Sequence, residues 1–211
     1  TGLAHGGTIL GENVLATNPA NPDTQTQDQI SQAIDIETSL FDGFVDFVGG
    51  ASYFNEEVSL NALGARGDSD TEVSTAYGEG TINFSDNLTL ALGLRATREE
   101  KLIESFTRNG VITNETAEIE DENTDYSIKL AYAAAGHEFY ASYGTAYKSG
   151  GASFFSDDLR PYAAEESETA EIGYGATIFD NRLNYSLVGF MTNVDDRQLV
   201  FSDPDNIRYT D

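Results

Sequence analysis

Three adjacent carboxylate pairs, Asp157-Asp158, Glu165-Glu166 and Asp195-Asp196, are the groups from which acid–base chemistry would most readily be built. A glycosidase needs two carboxyls facing one scissile bond. Neighbours in an extended chain point to opposite faces, so these pairs are expected to be solvated charge and not a dyad. The run Glu118-Ile119-Glu120-Asp121-Glu122-Asn123 offers the oxygen ligands that calcium takes, but without the order and glycine of an EF-hand. An adventitious surface site is the most it predicts. Lys148-Ser149-Gly150-Gly151 lacks the strand–loop–helix setting of a phosphate cradle. The two histidines, His5 and His137, lie far apart, and cysteine is absent, which excludes thiolate metal centres, iron–sulfur clusters and thiol catalysis. No catalytic residue, metal site or cofactor is expected.

Charge narrows the partners. The 211 residues carry 36 Asp+Glu against 11 Lys+Arg, a net charge of −25. Nucleic acid needs basic side chains to displace its counterions, and docking on an anionic lipid surface needs a basic patch. No run approaches 18 apolar residues, so no transmembrane helix is predicted. Thr1–His5 shows no charged-then-apolar leader, which suggests a processed chain or an internal piece.

What must position any functional group is a set of strands. From Leu88, the residues Leu88, Leu90, Leu92, Leu94 and Ala96 alternate with Thr89, Ala91, Gly93, Arg95 and Thr97. A strand puts those leucines on one face, whereas a helix would scatter them. Ile172, Tyr174 and Ile178 alternate likewise with Glu171, Gly173 and Thr177, and Val45 and Phe47 with Asp46. Eight strands are predicted, near 28–38, 43–55, 72–85, 87–101, 124–135, 138–148, 167–179 and 182–198, with a ninth starting near Val200.

The links alternate in length. Ser39–Asp42, Ser85-Asp86-Asn87, Gly136-His137 and Asp180-Asn181 are short and rich in turn residues. Glu56–Thr71, Leu102–Asn123 and Ser149–Glu166 are long. Outer-membrane barrels have short turns on the periplasmic side and long loops outside, and their strands of about ten residues cross the apolar band. A soluble antiparallel sheet would also alternate, but its polar face would carry Lys and Glu. Here the polar faces are Gly, Ala, Ser and Thr, while residues 99–125 hold nine acidic and two basic residues. The expected fold is all-β, an antiparallel up-and-down meander of eight or nine strands forming part of a large transmembrane barrel. It would be an open curved sheet if isolated.

Several stretches resemble one family in order and spacing. Ser74–Lys101, STAYGEGTINFSDNLTLALGLRATREEK, is similar to the paired strands of TonB-dependent outer-membrane receptors. Glu138–Phe154, EFYASYGTAYKSGGASF, resembles that family's Y-A-S-Y-x-x-G-Y-K-S-G-G-F stretch, and Glu165–Leu199 and Gln29–Phe54 follow the same pattern. The resemblance implies a plugged barrel of about 22 strands, energised by TonB and importing a ferric siderophore or similar scarce nutrient. The expected setting is the bacterial outer membrane, and the expected partners are its lipid, the cargo, and TonB through a plug domain that this sequence does not contain. Residues 1–27 are expected to be an irregular extracellular-loop segment and 28–211 a partial barrel.

A ferric siderophore is often anionic, which makes Arg95, Lys148 and Arg160 candidates for ligand or plug contact. For Arg95 the plainer expectation is a carboxylate such as Glu171, or the plug. For Lys148 and Arg160 it is a salt bridge beside the long loop. Two other classes stay open. A complete eight-stranded outer-membrane barrel with a structural or adhesive role is the alternative. A soluble β-enzyme or lectin would need a catalytic or sugar site, and the residues supply none. Small inward residues such as Thr89, Ala91 and Gly93 favour the large barrel, because an eight-stranded lumen must be filled by side chains.

Overall fold

The computed structural model describes the backbone of residues 3–15, 23–62, 64–108, 111–152, 159, 161–179, 182–202 and 207–210. Side chains are described for 24–62, 64–107, 111–152, 159, 161–179 and 182–199. All the regular structure among them is strand. The order is β1 Leu3–Leu15, β2 Asp23–Leu40, β3 Val45–Ala62, β4 Ala65–Ser85, β5 Leu88–Arg108, β6 Val111–Ala134 and β7 His137–Lys148. There follow β8 Gly151–Ala152, β9 Pro161–Tyr162, β10 Glu165–Ile178, β11 Leu183–Asp195, β12 Leu199–Ser202 and β13 Ile207–Thr210.

Nine strands form one antiparallel sheet in the order β1-β2-β3-β4-β5-β6-β7-β10-β11. Each pairs with its neighbour in the chain, with β8–β9 as a small hairpin inserted between β7 and β10. Among the described residues β1 and β11 are not paired with each other, so the sheet is open. The predicted meander is therefore present, with two differences at its ends. Leu3–Leu15, expected to be irregular, is a strand that pairs with β2 from Leu3↔Asp35 to Leu15↔Asp23. The segment after Val200 pairs only with β13, outside the main sheet. Thr, Ile and Leu in both strands of the β1–β2 pair, with Val14 in β1, supply the β-branched and apolar residues that strands favour.

The expected long loops also differ. Glu56–Thr71 and Leu102–Asn123 are almost wholly strand, because β3, β4, β5 and β6 run on to meet at 63–64 and 109–110. A ladder needs only paired backbone groups, and water satisfies charged side chains on either face. In the third expected loop, residues 149–150, 159 and 163–164 lie outside strands, 151–152 and 161–162 form β8 and β9, and 153–158 and 160 lie outside the described residues. At the other end the links are tight. Ala135 and Gly136 have φ of 53° and 81°, the two left-handed residues of a two-residue hairpin loop. His137, expected within that turn, is instead the first residue of β7.

Register joins the faces across the sheet. Val45, Ile82, Leu90, Leu130, Ala141, Ile172 and Gly189 are successive ladder partners, so their side chains share one side. The side chains on this side are exposed: Leu94 is 58% and Ile172 67% accessible. On β10 the opposite residues Ser167, Thr169, Glu171 and Gly173 are less exposed than Glu166, Glu168, Ala170 and Ile172. That asymmetry places the concave side with the polar set. The expected division holds for every residue named for it: Leu88, Leu90, Leu92, Leu94, Ile172, Tyr174, Ile178, Val45 and Phe47 lie outward, and Thr89, Arg95, Thr97, Glu171 and Asp46 inward. On the outward side the Phe47 ring lies flat over Gly49 and Gly78, where a Cβ would come within 2.7 and 3.3 Å of it. Large apolar side chains in water on one broad face identify a surface built for another solvent.

Candidate functional site: the inward-facing wall

The inward wall is built by the alternate residues of β2 to β7, β10 and β11. Its middle row runs through the partners Asp35, Gly50, Tyr77, Arg95 and Asp125. Gly50 leaves space over the backbone, and the Tyr77 hydroxyl crosses it to donate to Asp35 Oδ1 two strands away. Arg95 therefore lies between a phenol and a carboxylate, with Asp125 also accepting from Thr145 Oγ1 at 3.0 Å. Glu171, the partner expected for Arg95, is three strands away and accepts from the Tyr140 hydroxyl at 2.7 Å. The Lys129 ammonium sits 4.5 Å over the Tyr140 ring. The trio Lys129–Tyr140–Glu171 spans β6, β7 and β10. Tyr140 lies over Gly173, its ladder partner, where any Cβ would fall inside contact with the ring.

One row further from the tight turns, Ala33, Ser52, Thr75, Thr97 and Asn123 are successive partners. On the opposite, outward side the flanking rows Gln32–Glu122 and Ile34–Thr124 line a groove of about 1110 Å³. On the inward row Thr75 is 7% exposed, and Asn123 Nδ2 is buried without a hydrogen-bond partner.

Beyond that row the chain folds onto its own wall. The β6–β7 ladder ends at Ser127↔Gly144, and the segment after β7 leans over the extended part of β5 and β6. Lys101, paired with Glu99 at 2.7 Å, donates to Ser149 Oγ at 2.5 Å and Gly150 O at 2.8 Å. Ser149 Oγ donates to Glu99 and Gly150 N to Asp121, each at 2.9 Å. Leu159 packs with Ile103, Ala117 and Ile119 in a small buried cluster. Tyr147 sits beside this network with a buried hydroxyl. Burial first, then the neighbouring Asp121 carboxylate, pushes its pKa well above the usual phenol value.

The candidate residues thus separate. Arg95 is on the middle of the wall. Lys148 is inward at the end of β7, opposite Glu165, whose carboxylate also accepts from Gln198 N at 2.9 Å. Arg160 and the pair Asp157-Asp158 lie outside the described residues. Glu165 and Glu166 point to opposite faces. The run Glu118–Asn123 is likewise divided, with Ile119 buried and Glu118, Glu120 and Glu122 exposed. Among the described residues no group of three or more His, Asp or Glu could hold a metal ion. Sequence reasoning missed Lys101, Asp121, Lys129 and Tyr140. Their only signal was inward parity, which becomes usable once register is known.

Chemically the wall offers non-covalent contact. Asp35, Glu37, Asp46, Glu79, Asp125, Glu138 and Glu171 set its charge against Arg95 and Lys129. A polar wall of this kind, behind an apolar outer face, is the interior of an outer-membrane barrel.

Comparison with known proteins agrees. A family profile described as TonB dependent receptor-like, beta-barrel, matches residues 5–210. Among solved structures, the ferric yersiniabactin uptake receptor of Yersinia pestis superposes with a TM-score of 0.72 at 19% identity, over 84% of this chain and 30% of that one. The ferric-catecholate import receptor of E. coli K12, in its closed form, gives 0.71 at 16% identity, over 90% and 34%. The alcaligin outer membrane receptor of Bordetella pertussis gives 0.62 at 19% identity, over 86% and 31%. At these identities the likeness is one of fold, and the chain spans about a third of each receptor's length. A search of curated protein sequences finds no match. With nearly the whole chain matched by the family profile, this chain belongs to the TonB-dependent receptor β-barrel family, whose members are receptors and transporters and not enzymes.

Proposed function

We propose that these residues form part of the wall of an outer-membrane receptor that binds and imports a ferric siderophore or similar scarce nutrient. The observation that carries this reading is the division of the sheet. An unbroken apolar row from Val45 to Gly189 faces outward, while small and charged residues face inward. A lumen lined by Thr, Ser, Ala and Gly is too sparsely filled for a small barrel and suits a wide one occupied by another domain. The open sheet also supports this reading over a closed eight-stranded barrel. The acidic wall suits a plug whose outer surface is basic, and TonB would act through that plug. Arg95 and Lys148 are the cations available at this wall to an anionic cargo or to the plug.

The test is uptake by cells lacking the complete gene. Loss of labelled ferric-siderophore uptake, restored by the complete gene, supports the proposal. Unchanged uptake of iron complexes and of other scarce nutrients overturns it. In the complemented strain, Arg95→Gln separates the two contacts: a weakened cargo affinity with normal folding assigns Arg95 to cargo, and a destabilised barrel assigns it to the plug.

A further inference from the structure

On the outward face, near the tight turns, is a second groove of about 650 Å³. Its floor is the row Leu130, Ala141, Ile172 and Gly189, and its side is the next row, including Phe139 and Tyr174. The floor dips at the small residues Ala141 and Gly189, on either side of the exposed Ile172 side chain. A Cβ at Gly189 would meet only Ile172 Cγ1, at an ordinary 3.8 Å. From β6 to β11 the groove runs three strand spacings, about 14 Å, across the strands.

The groove does not end in apolar surface. Tyr174 stacks on Phe139 with ring centroids 4.6 Å apart and carries its hydroxyl into a polar cluster. Tyr185 Oη donates to Tyr174 Oη at 3.2 Å, and Tyr174 Oη lies 2.7 Å from His137 Nδ1. With Tyr174 accepting from Tyr185 and donating to Nδ1, the neutral imidazole carries its proton on Nε2. That leaves an N–H donor beside the turn, at the level where aromatic belts meet headgroups.

We infer that this groove is a specific site for a glycerophospholipid of the periplasmic leaflet, its two acyl chains lying over Ala141 and Gly189 on either side of Ile172 and the phosphate received at the His137–Tyr174–Tyr185 cluster. The inference rests on the proposed outer-membrane reading, because the groove is continuous with the row that reading assigns to lipid. An amphiphile is the occupant because an apolar trough runs into a polar cluster with one donor, the His137 Nε2–H, left over. A purely apolar ligand would leave that donor unused, and a free phosphate would leave the trough empty.

The test uses the complete receptor, purified in detergent, stripped of lipid and titrated with phosphatidylglycerol, with retained lipid counted by native mass spectrometry. The expected result is one lipid held after the others are lost. Gly189→Leu, which fills the trough, should weaken retention about tenfold. Tyr185→Phe, which removes one hydroxyl at constant shape, should narrow the preference for phosphatidylglycerol over diacylglycerol. Leu92→Ala, on the same face but outside the groove, should change neither. Equal retention in Gly189→Leu and the unaltered receptor, both running as folded barrels, overturns the inference. So does displacement of the lipid by inorganic phosphate alone. The outer-membrane reading is scored separately, by quenching of tyrosine fluorescence with brominated lipid. Uniform quenching without a retained lipid refutes only the site, and absence of quenching refutes the reading beneath it.

Discussion

Placing a charge at Leu92 tests the outward face directly. Leu92 lies between Gly80 and Ile128 in the ladder, with Phe47 one strand further on. Its strand meets the aromatic residues Tyr132 at Leu88 and Tyr126 at Leu94. The two belts are thus separated by six residues, about 20 Å along the strand. Leu92 lies about 7 Å from the nearer one, a little off the middle of the band. Arginine on the lipid face costs about 2–4 kcal/mol at the midplane and about 0–1 kcal/mol near the interfaces, so Leu92→Arg should cost about 2–3 kcal/mol. That is roughly a thirty- to hundredfold loss in the folding equilibrium. The inward control is Thr81→Arg, whose ladder neighbours are Asp46 and Ala91. It places the same guanidinium beside a carboxylate on a wetted wall and should stay within about 0.5 kcal/mol of the parent. The assay is urea unfolding of the complete receptor in lipid vesicles, read by electrophoretic mobility of the folded barrel. Equal costs for the two variants, or the larger cost at Thr81, would refute the assignment of faces.

Three further outcomes are expected. Gly173→Val should push the Tyr140 ring off the backbone and break its bond to Glu171. The variant should therefore unfold at lower urea, and Tyr140→Ala in the same chain should recover most of the loss. Tyr147→Phe removes a buried hydroxyl that has no hydrogen-bond partner and should be neutral or slightly stabilising at neutral pH. Because burial raises the Tyr147 pKa in the folded chain, its stabilising contribution is complete below pH about 10, and falls as pH climbs from there through the folded value. An alkaline unfolding series should accordingly show Tyr147→Phe losing less stability than the parent. Lys101→Met breaks the bonds that hold Ser149 and Gly150 to β5, so limited proteolysis should cut 149–164 faster while leaving the rest of the wall intact.

Where the sequence was legible, one side of a strand was uniform. Leu88 to Leu94 announce a face without knowledge of any neighbour, and the register confirms it through Ile82 and Leu130. Leu102–Asn123 looks like a loop in sequence because Glu118, Glu120 and Glu122 look like solvated charge. They are solvated, but on strands. Ile103, Ala117 and Ile119 kept the period of two within that acidic stretch and were the available sign. The Lys129–Tyr140–Glu171 trio was not legible, since its members come from three strands and a one-residue change of register would separate them. The same holds for Arg95, whose neighbours Tyr77 and Asp125 are fixed only by the ladders on either side.

The long strands give the wall two solvents along one continuous backbone. In β6, residues 126–132 present Tyr126, Ile128, Leu130 and Tyr132 outward, while Glu118, Glu120 and Glu122 occupy the same parity further up. An apolar stripe therefore becomes an acidic one within four residues, across Thr124. In the proposed outer-membrane setting that change sets the height of the barrel, because moving the chain inward would carry Glu122 toward hydrocarbon. It also protects an edge. Beyond Ser127 the ladder to β7 stops, so the upper part of β6 is paired only with β5. An unpaired strand edge invites another strand, and repeated like charge is a common means of discouraging it. The acidic upper wall can therefore hold its strands in water with only the small apolar cluster of Ile103, Ala117, Ile119 and Leu159, while Ser149 and Gly150 are tied to it by Lys101 and Asp121. Stability at this height comes from backbone pairing, that cluster and a few polar ties. The contacts at this height that can break without exposing apolar surface are consequently those polar ties.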